Sequence, residues 1–174
     1  MDRSPDPTWD DRTWDDHAWD PRDDGVQRRL ISRCMELAEQ AAEAGDVPVG
    51  ALILGPDGAV LAEGFNTREA EADPAGHAEI IALQRAARAT GSWRMEDCTL
   101  AVTLEPCPMC AGAIVQTRVR TVIFGAWDEK AGAAGSVFDV LREPRLNHWV
   151  EVHPGVLAAE CAAQLGEYFA GHRH

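Results

Sequence analysis

No stretch of this 174-residue chain approaches the roughly 18 to 20 consecutive apolar residues that a membrane-spanning helix needs. Nor does an apolar run follow the opening Met1-Asp2-Arg3-Ser4-Pro5-Asp6-Pro7, so no secretory leader is expected and a cytoplasmic location is. Cysteine is sparse and odd in number. Five thiols do not make a paired disulfide framework, which again suits a reducing compartment. Positive charge is the other shortage: Lys plus Arg number 16 against 29 Asp plus Glu, a formal net charge of −13. Broad, sequence-independent nucleic-acid binding depends on neutralising phosphates with basic side chains, so this balance argues against it. A local basic patch is still compatible with an acidic total, because the field depends on where the charges sit.

What is present is enough apolar material, 45% of residues, to build one compact core with a tail beside it. The negative charge falls on two regions. Residues 1–25 hold nine Asp and three Arg, a balance of −6; the remaining residues, with 13 basic and 20 acidic side chains, carry −7. The head also contains a five-residue repeat, Thr8-Trp9-Asp10-Asp11-Arg12, Thr13-Trp14-Asp15-Asp16-His17 and Ala18-Trp19-Asp20-Pro21-Arg22. A period of five matches neither helix nor strand, so its tryptophans cannot share one face. With this density of Asp and Pro, residues 1–25 are expected to be a disordered acidic extension, and 26–174 the folded domain.

Along the body, helical spacing runs from Val26 to Ala44, with Gly45 as a stop. Val47 to Leu54 and Ala59 to Phe65 read as a hairpin turned by Pro56-Asp57-Gly58. A polar loop over residues 66–76 leads to a helix from His77 to Thr90, closed by Gly91. A strand (99–104), a helix (106–117) and another strand (121–125) follow. After a Gly/Ala loop come a short helix near Val137 to Arg142, a short strand from His148 to Val152 and an amphipathic helix from Leu157 to Phe169. This alternation after an opening hairpin predicts an α/β fold: three αβα layers, a mixed five-stranded sheet with helices on both faces.

Two short segments carry chemistry: His77-Ala78-Glu79 and Pro106-Cys107-Pro108-Met109-Cys110. Residues three apart on a first helical turn lie on one face, so Cys107 and Cys110 can share an ion. A helix N-terminus and a cation both favour the thiolate form that binds metal. With His77 they supply three ligands, and a tetrahedral zinc then keeps its fourth position for water, as catalytic sites do. Glu79, beside that water but not on the metal, is placed to move its proton. Residues two apart in a regular helix point about 200° apart, so His77 and Glu79 serve one site only if His77 sits at the helix start. C-x-x-C alone also occurs in redox and structural zinc sites, and a closed site with Glu79 or Cys98 as fourth ligand is the alternative. The combination H-x-E with P-C-x-x-C is sharper, being the known signature of zinc nucleobase deaminases.

Around these ligands the chain resembles the bacterial tRNA-specific adenosine deaminase family (TadA) of the cytidine deaminase-like superfamily. The likeness covers nearly the whole body: Val47-Pro48-Val49-Gly50-Ala51, Asn66, Asp73-Pro74 before His77-Ala78-Glu79-Ile80, Gly91-Ser92-Trp93-Arg94, and Thr99 to Glu105. It continues through Cys110-Ala111-Gly112-Ala113, Phe124-Gly125-Ala126, Asp128, Lys130, Gly132 to Ser136, and Asn147-His148. The resemblance implies a homodimer of cytidine deaminase-like fold with one zinc per subunit, converting adenosine to inosine at the wobble position (34) of tRNA-Arg(ACG). It implies His77, Cys107 and Cys110 as metal ligands and Glu79 as the catalytic proton shuttle. Asn66 matches a residue that hydrogen-bonds the target nucleotide, and Asp128 one in a loop lining the anticodon site. Trp127, before Asp128, and the acidic head depart from the family pattern, and backbone contacts would rest on Arg68, Lys130, Arg142 and Arg145.

The other candidates have plainer readings. Cys34, Cys161 and Cys98 read as packing residues. His148 and His153 read as hydrogen-bonded edge residues, and His17, His172 and His174 as solvated. Arg118 and Arg120 can offset a helix dipole or serve RNA or dimer contacts. Two other functions remain open. One is a free-base deaminase, for guanine or cytosine, which shares the zinc chemistry but needs no RNA surface. The other is a non-catalytic, zinc-stabilised RNA-binding protein.

Overall fold

The computed structural model describes residues 19–172. Its elements are α1 (Asp24–Glu43), β1 (Gly50–Leu54), β2 (Val60–Phe65), α2 (Ala78–Thr90), β3 (Thr99–Leu104), α3 (Pro108–Gln116), β4 (Thr121–Ala126), β5 (Glu151–His153) and α4 (Ala158–Gly171). The strands form one sheet in the order β2-β1-β3-β4-β5. β1 is antiparallel to β2 and β3, whereas β3, β4 and β5 run parallel.

Side chains alternate across the sheet, and the alternation builds two cores. Ala51, Ile53, Leu100, Val102, Val122 and Phe124 pack with α2 and α3. Leu52, Leu54, Ala101 and Ile123 pack with α1 and with Cys161 of α4. This is the expected three-layer αβα arrangement, with the central strands buried on both faces. α1 lies on one face through a stripe that includes Leu30, Ile31, Cys34 and Leu37.

Two glycines set how closely helices approach the sheet. A Cβ at Gly50 would collide with the Cys34 carbonyl of α1. On the opposite face, a Cβ at Gly64 would lie 2.5 Å from the Ala78 carbonyl oxygen and 2.8 Å from the Ala82 nitrogen of α2. Both neighbours are main chain, so neither can swing aside.

Several boundaries differ from the sequence expectation. Residues 19–25, expected to belong to the acidic extension, are part of the described fold. Trp19 packs against the α1 face of the sheet, and Asp23 caps α1, its carboxylate accepting the Val26 N–H at 2.9 Å. The first two repeats, with Trp9 and Trp14, lie outside the described residues. β1 begins at Gly50 and not Val47, because Pro48 lacks a ladder donor and the Val47 carbonyl binds the Asn66 side chain. α3 starts at Pro108, with Cys107 as its N-cap, while the Pro106 carbonyl accepts the Ala133 N–H at 2.8 Å.

The expected helix at 137–142 does not form. Ala134 bridges Asp139 antiparallel, the Val140 N–H donates to the Ala133 carbonyl at 2.9 Å, and Gly135 turns the chain with φ +132°. The N–H groups of Ala134 and Ser136 are taken by a carboxylate, which draws this stretch away from helical pairing. β5 is shorter than expected, since His148 bonds the Val119 carbonyl at 2.6 Å and the Val150 N–H donates to Leu141.

Gly64→Ala forces α2 off the sheet, and overpacking of this kind costs about 1–3 kcal/mol. Denaturant unfolding should show that loss, whereas a Gly112→Ala control, at a helix position with open space around its Cβ, should not.

Candidate active site

His77 is the N-cap of α2, in extended conformation (φ −81°, ψ 148°), and Cys107 is the N-cap of α3 (φ −73°, ψ 171°). The angular conflict between His77 and Glu79 is thereby resolved: His77 stands outside the helix while Glu79 lies in its first turn. His77 Nδ1 lies 3.6 Å from Cys107 Sγ and 3.5 Å from Cys110 Sγ. The three ligand atoms gather within 4.8 Å of one another.

These separations test whether the donors suit zinc. With Zn–S near 2.3 Å and Zn–N near 2.0–2.1 Å, tetrahedral angles place sulfur and nitrogen about 3.6 Å apart. The donors fit. Glu79 and Cys98 are not members of the group, so among the described residues it has three protein ligands. Cys98 is buried at the opposite end of β3, before Thr99, and packs in the core.

The hydrogen bond from Cys110 pushes the Cys107 thiol down to about 4, and the same contact pushes Cys110 up. The hydrogen bond to Cys107 raises His77. Glu79 is 4% exposed, and burial pushes its carboxyl up to about 7. A carboxyl poised there can both take and return a proton near neutral pH.

A cavity of about 270 Å³ opens over this cluster. Asn66 and Asp128 both line it, as do His77, Glu79 and Cys107. The Asn66 amide donates to the Val47 carbonyl at 3.2 Å and accepts the Arg68 N–H at 3.3 Å, which fixes its orientation. Asp128 Oδ1 accepts the N–H groups of Lys130 and Ala131, closing a turn. Of the basic candidates, Arg68 lines the cavity and pairs loosely with Glu69 at 3.6 Å. Arg142 is paired with Asp139, Arg145 with Glu143 and Arg120 with Asp97, while Arg118 bonds Asn147.

Two cavity residues were not anticipated from sequence, Asp46 and Glu105. Both are buried acids, 0% and 2% exposed. Asp46 accepts the N–H groups of Glu69 and Ala70, and Glu105 accepts three from the segment after β4. The one available signal was position: an acid beside a helix-stopping glycine, and an acid ending a strand just before the Pro106-Cys107 pair. The remaining cysteines and histidines hold to plainer roles. Cys34 and Cys161 are buried, and the His153 ring meets Glu151 at 3.0 Å. His172 bonds the Tyr168 carbonyl; His17 and His174 lie outside the described residues.

Residues 25–126 match the cytidine and deoxycytidylate deaminase zinc-binding region. A tRNA-specific adenosine deaminase of Bacillus subtilis is 47% identical over 139 residues, spanning 80% of this chain and 86% of that protein. A solved structure from a study of A-to-I editing by tRNA:A34 deaminases at the wobble position of transfer RNA superposes with TM-score 0.75. It is 35% identical and covers 78% of this chain and 98% of the other. A guanine deaminase from Nitrosomonas europaea superposes with TM-score 0.69 at 25% identity, over 82% and 84% of the two chains. With three zinc donors at tetrahedral spacing and a buried glutamate beside them, the chain belongs to the tRNA-specific adenosine deaminase family, within the zinc-dependent deaminases of cytidine deaminase-like fold.

Proposed function

We propose that the protein hydrolyses adenosine to inosine and ammonia at the wobble position (34) of an arginine tRNA with anticodon ACG, acting as a cytoplasmic homodimer. The observation that carries this reading is the 47% identity to a tRNA-specific adenosine deaminase, extending well beyond the ligands, against 25% to the guanine deaminase. The choice of an arginine tRNA rests on the resemblance of the sequence to its family.

Zinc held by His77, Cys107 and Cys110 supplies Lewis-acid activation of a water molecule. Glu79 moves the protons. Its carboxylate takes one from the water and delivers it to a ring nitrogen of the adenine as the C6–oxygen bond forms, then takes the second from the new C6 hydroxyl and hands it to the departing ammonia as the C6–nitrogen bond breaks and the carbonyl forms. Asn66 uses the donor and acceptor capacity left by its two main-chain bonds to orient the target nucleotide. Asp128, in the cavity wall, faces the same nucleotide. An anticodon-loop base is already unpaired, so bringing it into a cavity costs little beside flipping one from a duplex. Support for the dimer comes from exposed apolar side chains, among them Trp93, Phe138 and Trp149. The free-base alternative draws on the guanine deaminase superposition and on the acidic surface.

Sequencing tRNA-Arg(ACG) before and after incubation with zinc-loaded protein should show A read as G at position 34. Ammonia released from guanine or cytosine, with no change in the tRNA, overturns the reading in favour of the free-base enzyme. Two variants separate chemistry from metal binding. Glu79→Gln should keep one zinc per chain by elemental analysis yet lose at least about a hundredfold in turnover. Cys110→Ser should lose the zinc and the activity together. Turnover at the wild-type rate in Glu79→Gln would remove the proposed proton shuttle.

A further inference from the structure

Asp128 and Ala131 line the cavity, yet they lie on a loop with little regular structure of its own. Main-chain bonds such as Ala133 N–H to the Pro106 carbonyl help to hold it, and one buried side chain ties both of its ends together. Glu105 Oε2 accepts the Asp128 N–H at 2.9 Å, and Oε1 accepts those of Ala134 at 2.9 Å and Ser136 at 3.1 Å. Bonds around it tighten the same joint. The Glu105 N–H donates to the Ala126 carbonyl at 2.8 Å, and the Ser136 hydroxyl donates to the Asp128 carbonyl at 2.7 Å. At Gly132 the loop passes so close that a Cβ would collide with the Glu105 carboxylate and with Ser136 Oγ.

We propose that Glu105 is a positioning residue, which through three main-chain hydrogen bonds holds the 128–136 loop as a fixed wall of the substrate cavity and so sets where Asp128 meets the substrate. A buried carboxylate is an expensive way to fill space, and an apolar side chain of similar size would do that alone. Its particular contribution is directional: two oxygens with several lone pairs accept three N–H groups from different points of one loop. The loop then keeps one shape before substrate arrives, and binding does not have to order it. Glu105 acts on substrate through Asp128, not on the reacting atoms.

The decisive variant is Glu105→Gln, nearly the same in shape. An amide has one acceptor oxygen, so whichever way it turns its NH₂ must oppose an N–H that the carboxylate had satisfied. The better orientation keeps Ala134 and Ser136 bonded and releases Asp128. In the zinc-loaded protein, NMR hydrogen exchange should show the Asp128 amide exchanging at least tenfold faster than in wild type. Zinc content should stay at one per chain. With an ACG anticodon stem-loop RNA, KM should rise about tenfold while kcat changes by less than about threefold. Gly132→Ala strains the same contact from the loop side and should reproduce the pattern if Glu105→Gln does not fold. Glu105→Asp, shorter but still charged, should restore part of the KM loss.

Unchanged exchange at Asp128, loss of zinc, or a fall in kcat without a rise in KM would overturn the assignment. The KM arm rests on the tRNA reading above; the exchange arm does not. Should wild-type protein fail to deaminate the RNA, that reading falls, while the exchange rates still decide whether Glu105 holds the loop.

Discussion

The site exists because two helices begin at the same place. His77 and Cys107 are both N-cap residues, in extended conformation, so their side chains are free of the radial geometry that would separate them inside a helix. Cys110, one turn into α3, completes the set. Neither helix has a side-chain cap, which leaves the positive end of each dipole without a capping oxygen of its own and favours thiolate beside it. This convergence depends on the sheet. β2 carries Gly64 under the first turns of α2, and β3 ends just before Cys107, so the register of those strands fixes the 3.5–3.6 Å spacing of the donors.

Three buried acids around the cavity divide into two kinds by the donors they meet. Asp46 and Glu105 accept main-chain N–H groups, two and three respectively, so their oxygens are engaged in holding the loops at 69–70 and 128–136. At Glu79 burial outweighs the hydrogen bonds from its own N–H and from Cys110 and pushes the carboxyl up to about 7, where it can exchange a proton at neutral pH. A buried carboxyl therefore serves as a structural pin where several main-chain N–H groups from a loop meet it, as at Glu105, and as a chemical group where burial dominates, as at Glu79.

The metal site was legible because its logic is local. Spacing within C-x-x-C and H-x-E, with loop residues before His77, is enough to bring four side chains onto one point once two helices start there. The three-layer architecture followed from alternating periods for a similar reason. Glu105 and Asp46 could not be read, since their partners lie 23 to 31 residues away and are backbone atoms with no side-chain signature. A short helix is expected near Val137 to Arg142, but tertiary hydrogen bonds to Glu105 take the N–H groups on its N-terminal side. Composition groups Trp19 and Asp23 with the acidic head, whereas their contacts place them in the body.

Acidity then bears on selectivity. At a net charge of −13, with Arg120, Arg142 and Arg145 each engaged by its own acid, the surface offers RNA little general attraction. Arg68 brings a basic side chain to the cavity wall. An acidic total of this size favours discrimination by fit at the cavity over general attraction to RNA. Fit of that kind requires walls that do not yield, and a carboxylate holding three amides supplies such a wall without adding a positive charge that would attract every other RNA.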